Sequence, residues 1–277
     1  MLNWLTGLLA MVPFALMGVV ALLIVHNVLI FWENYDPKEA STNFAWAIRR
    51  CGVLLAIGIG LSGVMVGGSI NFLTDLWTTG LYSLALTIFV LISLYVNDHL
   101  ILSGVDNTSE IKKGNVAVAL VEFGGLMATG LVAKGAMIGE GSWVAALVFF
   151  ILGQAAMVFS VKIYNLVRGG ALSLSEEAEH GNTAAGILLG SKLWAYGLIM
   201  SAAVSGDFTA WLPDIMGFAA TAVMAMVLLY IAEWVVDWVI ITWDTVHGIV
   251  EKKAIPSALV LAGGKIGVAY VISTIAL

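Results

Sequence analysis

Eight long apolar stretches follow one another along the chain, and short polar connections separate them. They cover residues 8–32, 43–67, 74–97, 115–138, 142–167, 182–205, 211–243 and 254–276. The hydrocarbon core of a membrane is about 30 Å thick, and roughly 20 helical residues cross it. The pattern therefore predicts an all-α fold, a polytopic membrane bundle of about eight transmembrane helices. We expect the first stretch to be a retained helix rather than a signal peptide, because no basic residue precedes it.

The even-numbered stretches begin alike, which indicates an internal repeat. Their starts are Asn43, Asn115, Asn182 and Ala254. Small residues recur four, nine, thirteen and fifteen positions after each start; in the first copy they are Ala47, Gly52, Ala56 and Gly58. Positions nine and thirteen lie on one helical face, and positions four and fifteen lie on nearly the opposite face. Since small residues let membrane helices approach closely, we expect the even helices at the centre, with neighbours on both sides.

A resemblance to a known family rests on the segment that enters the third repeated helix, Glu179-His-Gly-Asn-Thr-Ala-Ala-Gly-Ile-Leu-Leu-Gly190. It resembles the YjfL family of bacterial inner-membrane proteins, a domain family of unknown function. A typical member of that family looks like two helical hairpins, or four helices. The resemblance therefore implies that this chain is a tandem duplication with four hairpins. The four-helix units would be residues 1–138 and 139–277. The last copy departs from the pattern, since Ala254 replaces the asparagine. The resemblance implies the fold and implies no activity.

Composition narrows the function classes. Hydrophobic residues make up 61% of the chain and charged residues 11%, against roughly 25% charged in soluble domains. The net charge of -6 argues against a nucleic-acid partner, and the lipid bilayer is the expected environment. The only cysteine, Cys51, cannot form an internal disulfide. Because we find no cofactor, metal or nucleotide motif and no room for a catalytic domain, we expect no cofactor and no enzymatic activity.

The distribution of basic residues predicts the orientation. Nine of them lie in or just beyond the first, third, fifth and seventh connections: Lys38, Arg49, Arg50, Lys112, Lys113, Lys162, Arg168, Lys252 and Lys253. The second, fourth and sixth connections contain no Lys or Arg. Cytoplasmic loops hold the excess of Lys and Arg. We therefore predict a bacterial inner-membrane protein with both termini outside the cytoplasm.

Ionisable side chains at membrane depth are the candidate functional groups. An ion or proton pathway is predicted from five of them: Glu122, Lys192, Glu233, Asp237 and Lys265. Each costs roughly 2.5–3.5 kcal/mol near the bilayer centre, so pairing, neutralisation or water is required. By depth, Glu233 matches Lys192 and Lys265, whereas Asp237 matches Arg49, Arg50 and Glu122. The accessory candidates are His26, Arg49, Arg50, Asp98 and Asp244.

Two further patterns connect these groups. Glu233, Asp237 and Asp244 follow a helical spacing that predicts one acidic stripe on the seventh span. Polar residues also recur seventeen positions before each repeat start, namely His26, Asp98, Asn165 and Asp237. They would form a ring around a vestibule, or they would meet lipid headgroups at the membrane interface.

Two functions remain open at this point. In the first, the buried charges line a channel or transporter for a small cation, a proton or a polyamine. In the second, the protein is a non-transporting membrane scaffold or a stress-complex subunit, and its buried ion pairs only fix helix register. The partners expected are a second copy of the chain or another membrane protein. Spans six to eight carry most of the charge, so the duplicated halves are expected to differ in function.

Overall fold

The structure is a computed structural model that describes residues 2–33, 36–64, 72–102, 104–138, 143–167, 173–240 and 244–275. Within these ranges the chain forms helices and no strand, which confirms the all-α prediction. The helices are α1 (Leu2–Glu33), α2 (Pro37–Ala40), α3 (Phe44–Val64), α4 (Phe72–Val96), α5 (Asn107–Lys112), α6 (Val116–Met137), α7 (Trp143–Val167), α8 (Leu174–Glu179), α9 (Thr183–Val204), α10 (Trp211–Ile240), α11 (Val246–Glu251) and α12 (Ile255–Ile275). A π-helical turn, Asn97–Ile101, follows α4.

The helices repeat in threes along the chain. Each unit has a long outer helix (α1, α4, α7 and α10), a short connecting helix (α2, α5, α8 and α11) and a long inner helix (α3, α6, α9 and α12). The predicted hairpin therefore contains a short helix between its two long ones. Four such units make up the described chain.

The helix lengths agree with a multi-pass membrane protein. Among the described residues, seven helices are long and apolar enough to cross a membrane, and these are α3, α4, α6, α7, α9, α10 and α12. In α1, which has 32 residues, the apolar stretch identified in the described part is Ala15–Val28. The eighth span therefore stays a prediction. The predicted span ends at residues 65–67, 142, 241–243 and 276 lie outside the described residues.

The inner helices pack side by side in one row, in the order α3, α6, α9 and α12. Between α3 and α6, Gly130 contacts the backbone of Ala56, and Gly63 contacts the backbone of Lys134. A Cβ atom on either glycine would collide with those backbone atoms. The contacting residue numbers rise together along both helices, so the two helices are parallel. This close approach confirms the expected role of the small residues.

The joint between α6 and α9 repeats the same geometry. Gly186 contacts the backbone of Ala117, and Gly124 contacts the backbone of Gly190. These two helices are the best covered of the seven spans, with 78% of each span buried. They occupy the centre of the row, as expected for the even helices.

The two ends of the row depart from that expectation. In α12 only 33% of the span is buried, and in α3 only 50%. A Cβ atom added to Gly58 on α3, or to Gly263 or Gly267 on α12, would meet no described atom within 4 Å. The prediction that every even helix has neighbours on both sides is wrong for α3 and α12. The reason is that the four units form an open row, so the first and the last inner helix have one inner neighbour each.

A repeated asparagine joins each unit to the next. Asn43 caps α3, because its side-chain oxygen accepts a hydrogen bond from the Trp46 amide. Its side-chain amide donates to the carbonyl oxygens of Ile111 and Lys112 at the end of α5, at 2.8 and 3.1 Å. Asn115 and Asn182 do the same toward α8 and α11. The last copy has Ala254 at this position, and its methyl side chain forms no such bond.

In the second, third and fourth units the connecting helix ends in a tight left-handed turn before the inner helix. Gly114 and Gly181 have φ values of 90° and 81°, which glycine adopts without a Cβ penalty. The fourth unit has Lys253 at this position, with φ of 52°. These turns and the asparagine bonds hold α5, α8 and α11 at one end of the bundle, which we call the connecting end.

Candidate functional site

A buried ion pair joins the third and fourth units. Lys192 lies on α9, and its Nζ atom lies 2.7 Å from Oε2 of Glu233 on α10. The two side chains are 2% and 5% exposed. Glu233 lies on the buried face of α10, among apolar residues such as Leu229 and Val236. Its second oxygen, Oε1, is buried and has no hydrogen-bond partner among the described residues.

Two tyrosine rings surround the ammonium group of Lys192. The Nζ atom lies 3.1 Å from the ring centroid of Tyr164 on α7 and 5.7 Å from that of Tyr196 on α9. A cation over an aromatic face is attracted by the ring quadrupole, and most strongly where water is excluded. Lys192 therefore has both a carboxylate and an aromatic ring as partners.

A second pair lies one turn further along α10. Asp237 Oδ1 lies 3.2 Å from Nζ of Lys265 on α12, with side chains 18% and 4% exposed for Asp237 and Lys265 respectively. Four residues separate Glu233 from Asp237, a rise of about 6 Å along the helix. The two carboxylates thus lie about one helical turn apart on α10. Glu233 pairs with a lysine of α9, and Asp237 pairs with a lysine of α12.

Asp244 does not continue this row of carboxylates along α10. The described part of α10 ends at Ile240, and Asp244 lies in the connection before α11. Its carboxylate accepts a hydrogen bond from the Thr245 amide at 2.9 Å and pairs with Lys252 at 3.0 Å. The Lys252 hydrogen bond lowers the pKa of Asp244. The predicted three-acid stripe is therefore wrong, because the third acid is held in the connection by its own partners.

The first half of the molecule has a different ion pair. Arg49 Nε on α3 lies 2.8 Å from Oε2 of Glu122 on α6, and these side chains are 4% and 0% exposed. Arg49 also donates to the Thr108 hydroxyl on α5, at 3.1 Å. The depth match of Asp237 with Arg49, Arg50 and Glu122 gives no contact, because Asp237 lies on α10, which packs on α9 and α12. Asp237 pairs instead with Lys265, another of the five predicted pathway residues.

Arg50 lies beside this pair and contacts the first helix. Its guanidinium group lies over the Trp46 ring, 4.9 Å from the centroid, and donates to the His26 backbone carbonyl at 3.4 Å. The His26 contact is made by the backbone, so no structural observation gives its imidazole a role in the pathway.

The predicted polar ring is not formed by the described residues. His26 lies on α1, Asp98 in the π-helical turn and Asp237 on α10. The side chain of Asn165 lies outside the described residues. The outer helices follow the open row of inner helices, with α1 against α3 and α4 and with α10 against α9 and α12. These positions are therefore spread along a row and do not face a common vestibule.

A buried hydroxyl and amide cluster between the first half and α7 was not predicted from the sequence. The hydroxyl groups of Ser93 on α4 and Thr129 on α6 are hydrogen-bonded to each other. The Gln154 amide on α7 donates to the same Thr129 oxygen at 3.2 Å. Tyr164 and Tyr196 were missed as well. Their position in the middle of an apolar stretch is the one sequence feature that could have indicated that Gln154, Tyr164 and Tyr196 have buried polar contacts.

A cavity opens at the end of the bundle opposite the connecting end. Its volume is about 260 Å³, and its lining includes Asp207, Asp214, Phe149, Phe218 and Thr221. Along α10, Thr221 lies twelve residues before Glu233, or about 18 Å. The buried side chains of Ala225 and Leu229 lie between the cavity and the ion pair. The cavity therefore approaches the Lys192–Glu233 pair along α10 and is separated from it by apolar side chains.

Two consecutive segments of the chain, residues 3–137 and 138–276, match the Domain of Unknown Function (DUF350). The chain belongs to the DUF350 family. The two matches confirm the tandem duplication that the resemblance to YjfL-like proteins implies. In this DUF350 chain the Arg49–Glu122 pair lies within the first copy, and the Lys265–Asp237 pair lies within the second.

The chain is similar to a UPF0719 transmembrane protein of Aquifex aeolicus (strain VF5). It is 22% identical over 252 residues, which cover 89% of this DUF350 chain and 92% of the relative. No solved structure matches the chain significantly. The similarity supports a multi-pass membrane protein, and it attaches no activity to any residue.

Proposed function

We propose that the second half of this protein conducts protons or small cations through a site formed by Glu233, Asp237, Lys192 and Lys265. The observation that carries the proposal is the buried Lys192–Glu233 pair, in which Glu233 Oε1 has no hydrogen-bond partner among the described residues. Ionisable groups inside a membrane are costly, and they commonly mark ion or proton paths. A buried carboxylate oxygen that accepts no hydrogen bond lowers the stability of the fold. A role in conduction would account for its presence.

The steps follow from competition for the carboxylates. A proton or cation that reaches Oε1 of Glu233 neutralises the carboxylate and weakens its attraction for Lys192. The lysine keeps a partner meanwhile, because the Tyr164 ring also attracts its ammonium group. The ion then moves by about 6 Å to Asp237, where Lys265 is the resident counter-charge, and leaves at the connecting end.

The opposite cavity would serve as the entrance. Asp207 and Asp214 in its lining attract cations and repel anions. Passage from this cavity to Glu233 requires α10 to move away from α9, so that Ala225 and Leu229 no longer separate them. Only 22% of the α10 span is buried, and a helix held by so little packing can move at low cost.

Ion flux into proteoliposomes tests the proposal. Protons, K⁺ and a polyamine would be measured with the wild-type protein, with Glu233→Gln and with empty vesicles. Asp244→Asn is the matched control, since it makes the same chemical change at an ion pair outside the spans. We expect the wild type and the control to exceed empty vesicles for one ion at least, and Glu233→Gln to match empty vesicles. Wild-type vesicles no leakier than empty ones for every ion would overturn the proposal.

A second candidate, the non-transporting scaffold, is favoured by one observation. The buried basic groups of Arg49, Lys192 and Lys265 each lie within 3.2 Å of a carboxylate oxygen, as register-fixing pairs would. Both candidates are non-enzymatic. The same flux measurement separates them, because a scaffold requires no flux.

We also propose an inner-membrane location with the connecting end in the cytoplasm, supported by the basic residues Lys112, Lys113, Lys252 and Lys253 at that end. In a Cys51→Ser background, Thr209→Cys should react in intact cells with a membrane-impermeant thiol reagent, and Lys112→Cys should react only after lysis. The reverse labelling pattern would invert the orientation.

A further inference from the structure

The open row of inner helices leaves two faces uncovered, and these faces are complementary. Within the chain, positions nine and thirteen of one inner helix lie on the side that faces the next inner helix, and positions four and fifteen face the previous one. Gly124 and Ala128 of α6 contact α9 in this way, and Gly58 has the position that Gly130 and Gly197 use toward their preceding helices.

The last inner helix has nothing described on its forward face. Gly263 and Gly267 of α12 hold positions nine and thirteen and are exposed, and a Cβ atom on either would meet no described atom within 4 Å. The surrounding α12 surface is apolar, with Leu259 and Val260 exposed by 56% and 50%. This face therefore corresponds to the face with which each of the three preceding inner helices contacts the next one.

The first inner helix has nothing described on its backward face. Ala47 and Gly58 of α3 hold positions four and fifteen and are exposed, and a Cβ atom on Gly58 would likewise meet no described atom within 4 Å. Leu54 on the same side is 38% exposed. This face is the other half of the joint, and the described part of α1 does not cover it.

We infer that α12 of one molecule packs against α3 of a second copy of the same chain, so that the row of repeats continues from molecule to molecule. The joints α3–α6, α6–α9 and α9–α12 show how inner helices of this protein meet. The contact is heterologous, because two different faces meet, and such contacts generate rings or open chains rather than closed pairs.

The intermolecular joint lacks one element of the internal ones. The side-chain amides of Asn43, Asn115 and Asn182 donate to the connecting helix of the next unit, whereas the methyl side chain of Ala254 has no donor. By the repeat, an asparagine at 254 would reach the carbonyl oxygens of Glu39 and Ala40 in the neighbouring molecule. The contact between molecules therefore lacks a hydrogen bond that each internal joint has, and we expect it to be weaker than they are.

The native cysteine allows a direct test. Across the α6–α9 joint, Leu120 of α6 contacts Gly190 of α9. In the repeat, Leu120 corresponds to Leu259 of α12, and Gly190 corresponds to Cys51 of α3. Cys51 is free and exposed. In native membranes, Leu259→Cys under mild oxidation should give a disulfide-linked ladder of two, three and more chains. A ladder requires two different faces, because a symmetric contact stops at the dimer.

Val271→Cys is the matched control. Val271 is 55% exposed, close to the 56% of Leu259, but it lies twelve residues further along α12, or about 18 Å. We expect no ladder from it. Gly263→Leu added to Leu259→Cys should remove the ladder and leave the thermal unfolding temperature unchanged, whereas Ala254→Asn added to it should increase the ladder.

Several results would overturn the inference. Equal ladders from Val271→Cys and Leu259→Cys would indicate random collision. Dimers that persist when Cys51→Ser is added to Leu259→Cys would indicate a symmetric α12 contact, and dimers of the wild-type chain through Cys51 alone would indicate a symmetric α3 contact. No cross-linked product from a Leu259→Cys protein that is folded would show that the two faces do not meet.

Discussion

The two halves of the molecule have the same repeated fold, yet they place their buried charges in different joints. In the first half, Arg49 and Glu122 pair between two inner helices, where glycines bring the backbones together and Thr108 holds the arginine. In the second half, both acids lie on α10, an outer helix with little packing. A charge pair in a tight joint fixes helix register, whereas a pair on a loosely held helix can open. We therefore propose a structural role for the first pair and conduction for the second.

The largest expected effect on stability is in the first half. Glu122→Gln leaves the Arg49 guanidinium without its carboxylate in a joint that cannot rearrange, which should cost about 3–5 kcal/mol of unfolding free energy. Unfolding in mixed detergent micelles would measure it. The double variant Arg49→Met with Glu122→Met should recover most of the loss, because an apolar pair needs no counter-charge. A single variant as stable as the wild type would contradict the structural role.

A smaller loss is expected from the matching change in the second half. Glu233→Gln leaves Lys192 with the Tyr164 ring as a partner, and α10 can adjust, so we expect about 1–3 kcal/mol. The same micelle assay, run beside Glu122→Gln, gives the comparison. A loss equal to or larger than that of Glu122→Gln would mean that the second pair is as rigid as the first.

Much of this arrangement follows from the sequence, and the parts that do not have physical reasons. Apolar length and the spacing of small residues predict the helices, the repeat and the central position of α6 and α9. Equal depth predicts Lys192 or Lys265 as the partner of Glu233, and the structure pairs it with Lys192. Depth alone failed for Asp237, since it gives the height of a residue in the membrane and not which helices are neighbours. The open row was missed because the repeat pattern is the same in end and central copies.

The aromatic contact of Lys192 is expected to contribute less than its carboxylate. Tyr164→Leu removes the ring below the ammonium group and should lower stability by about 1–2 kcal/mol. Tyr164→Phe keeps the ring face and is the matched control, which should stay near the wild type. The same two variants compared in flux would show whether the ring holds the lysine during conduction. If Tyr164→Phe lost as much stability as Tyr164→Leu, the hydroxyl group rather than the ring would be the partner.

The smallest effect should be alike in both halves, because it concerns surface pairs at the connecting end. Hydrogen bonds from Lys113 and Asn115 lower the pKa of Glu110, and the hydrogen bond from Lys252 lowers that of Asp244. A lowered pKa means that the pair stabilises the fold above the unfolded-state pKa and that this contribution is lost as the pH falls through the folded-state pKa. Acid should therefore lower the amide-exchange protection factors in α5 and α11, each calculated against the intrinsic exchange rate at the same pH.

Glu110→Gln and Asp244→Asn provide the controls for that measurement. Each should remove the pH dependence of the protection factors in its own connecting helix and leave the other helix unchanged. Because the pairs are partly exposed, the change should be small. A strong acid effect on one half alone would place a functional titration at the surface instead of at α10.

The central claim is that the halves differ in function, and flux through charge-swapped pairs tests it most directly. One protein carries Arg49→Glu with Glu122→Arg, and the other carries Lys192→Glu with Glu233→Lys, so that each keeps an ion pair. Flux per folded molecule is measured for both in proteoliposomes with the ion that the wild type conducts. We predict wild-type flux from the first-half swap and a loss of flux from the second-half swap. Wild-type flux from the second-half swap, or loss from the first-half swap alone, would contradict the assignment.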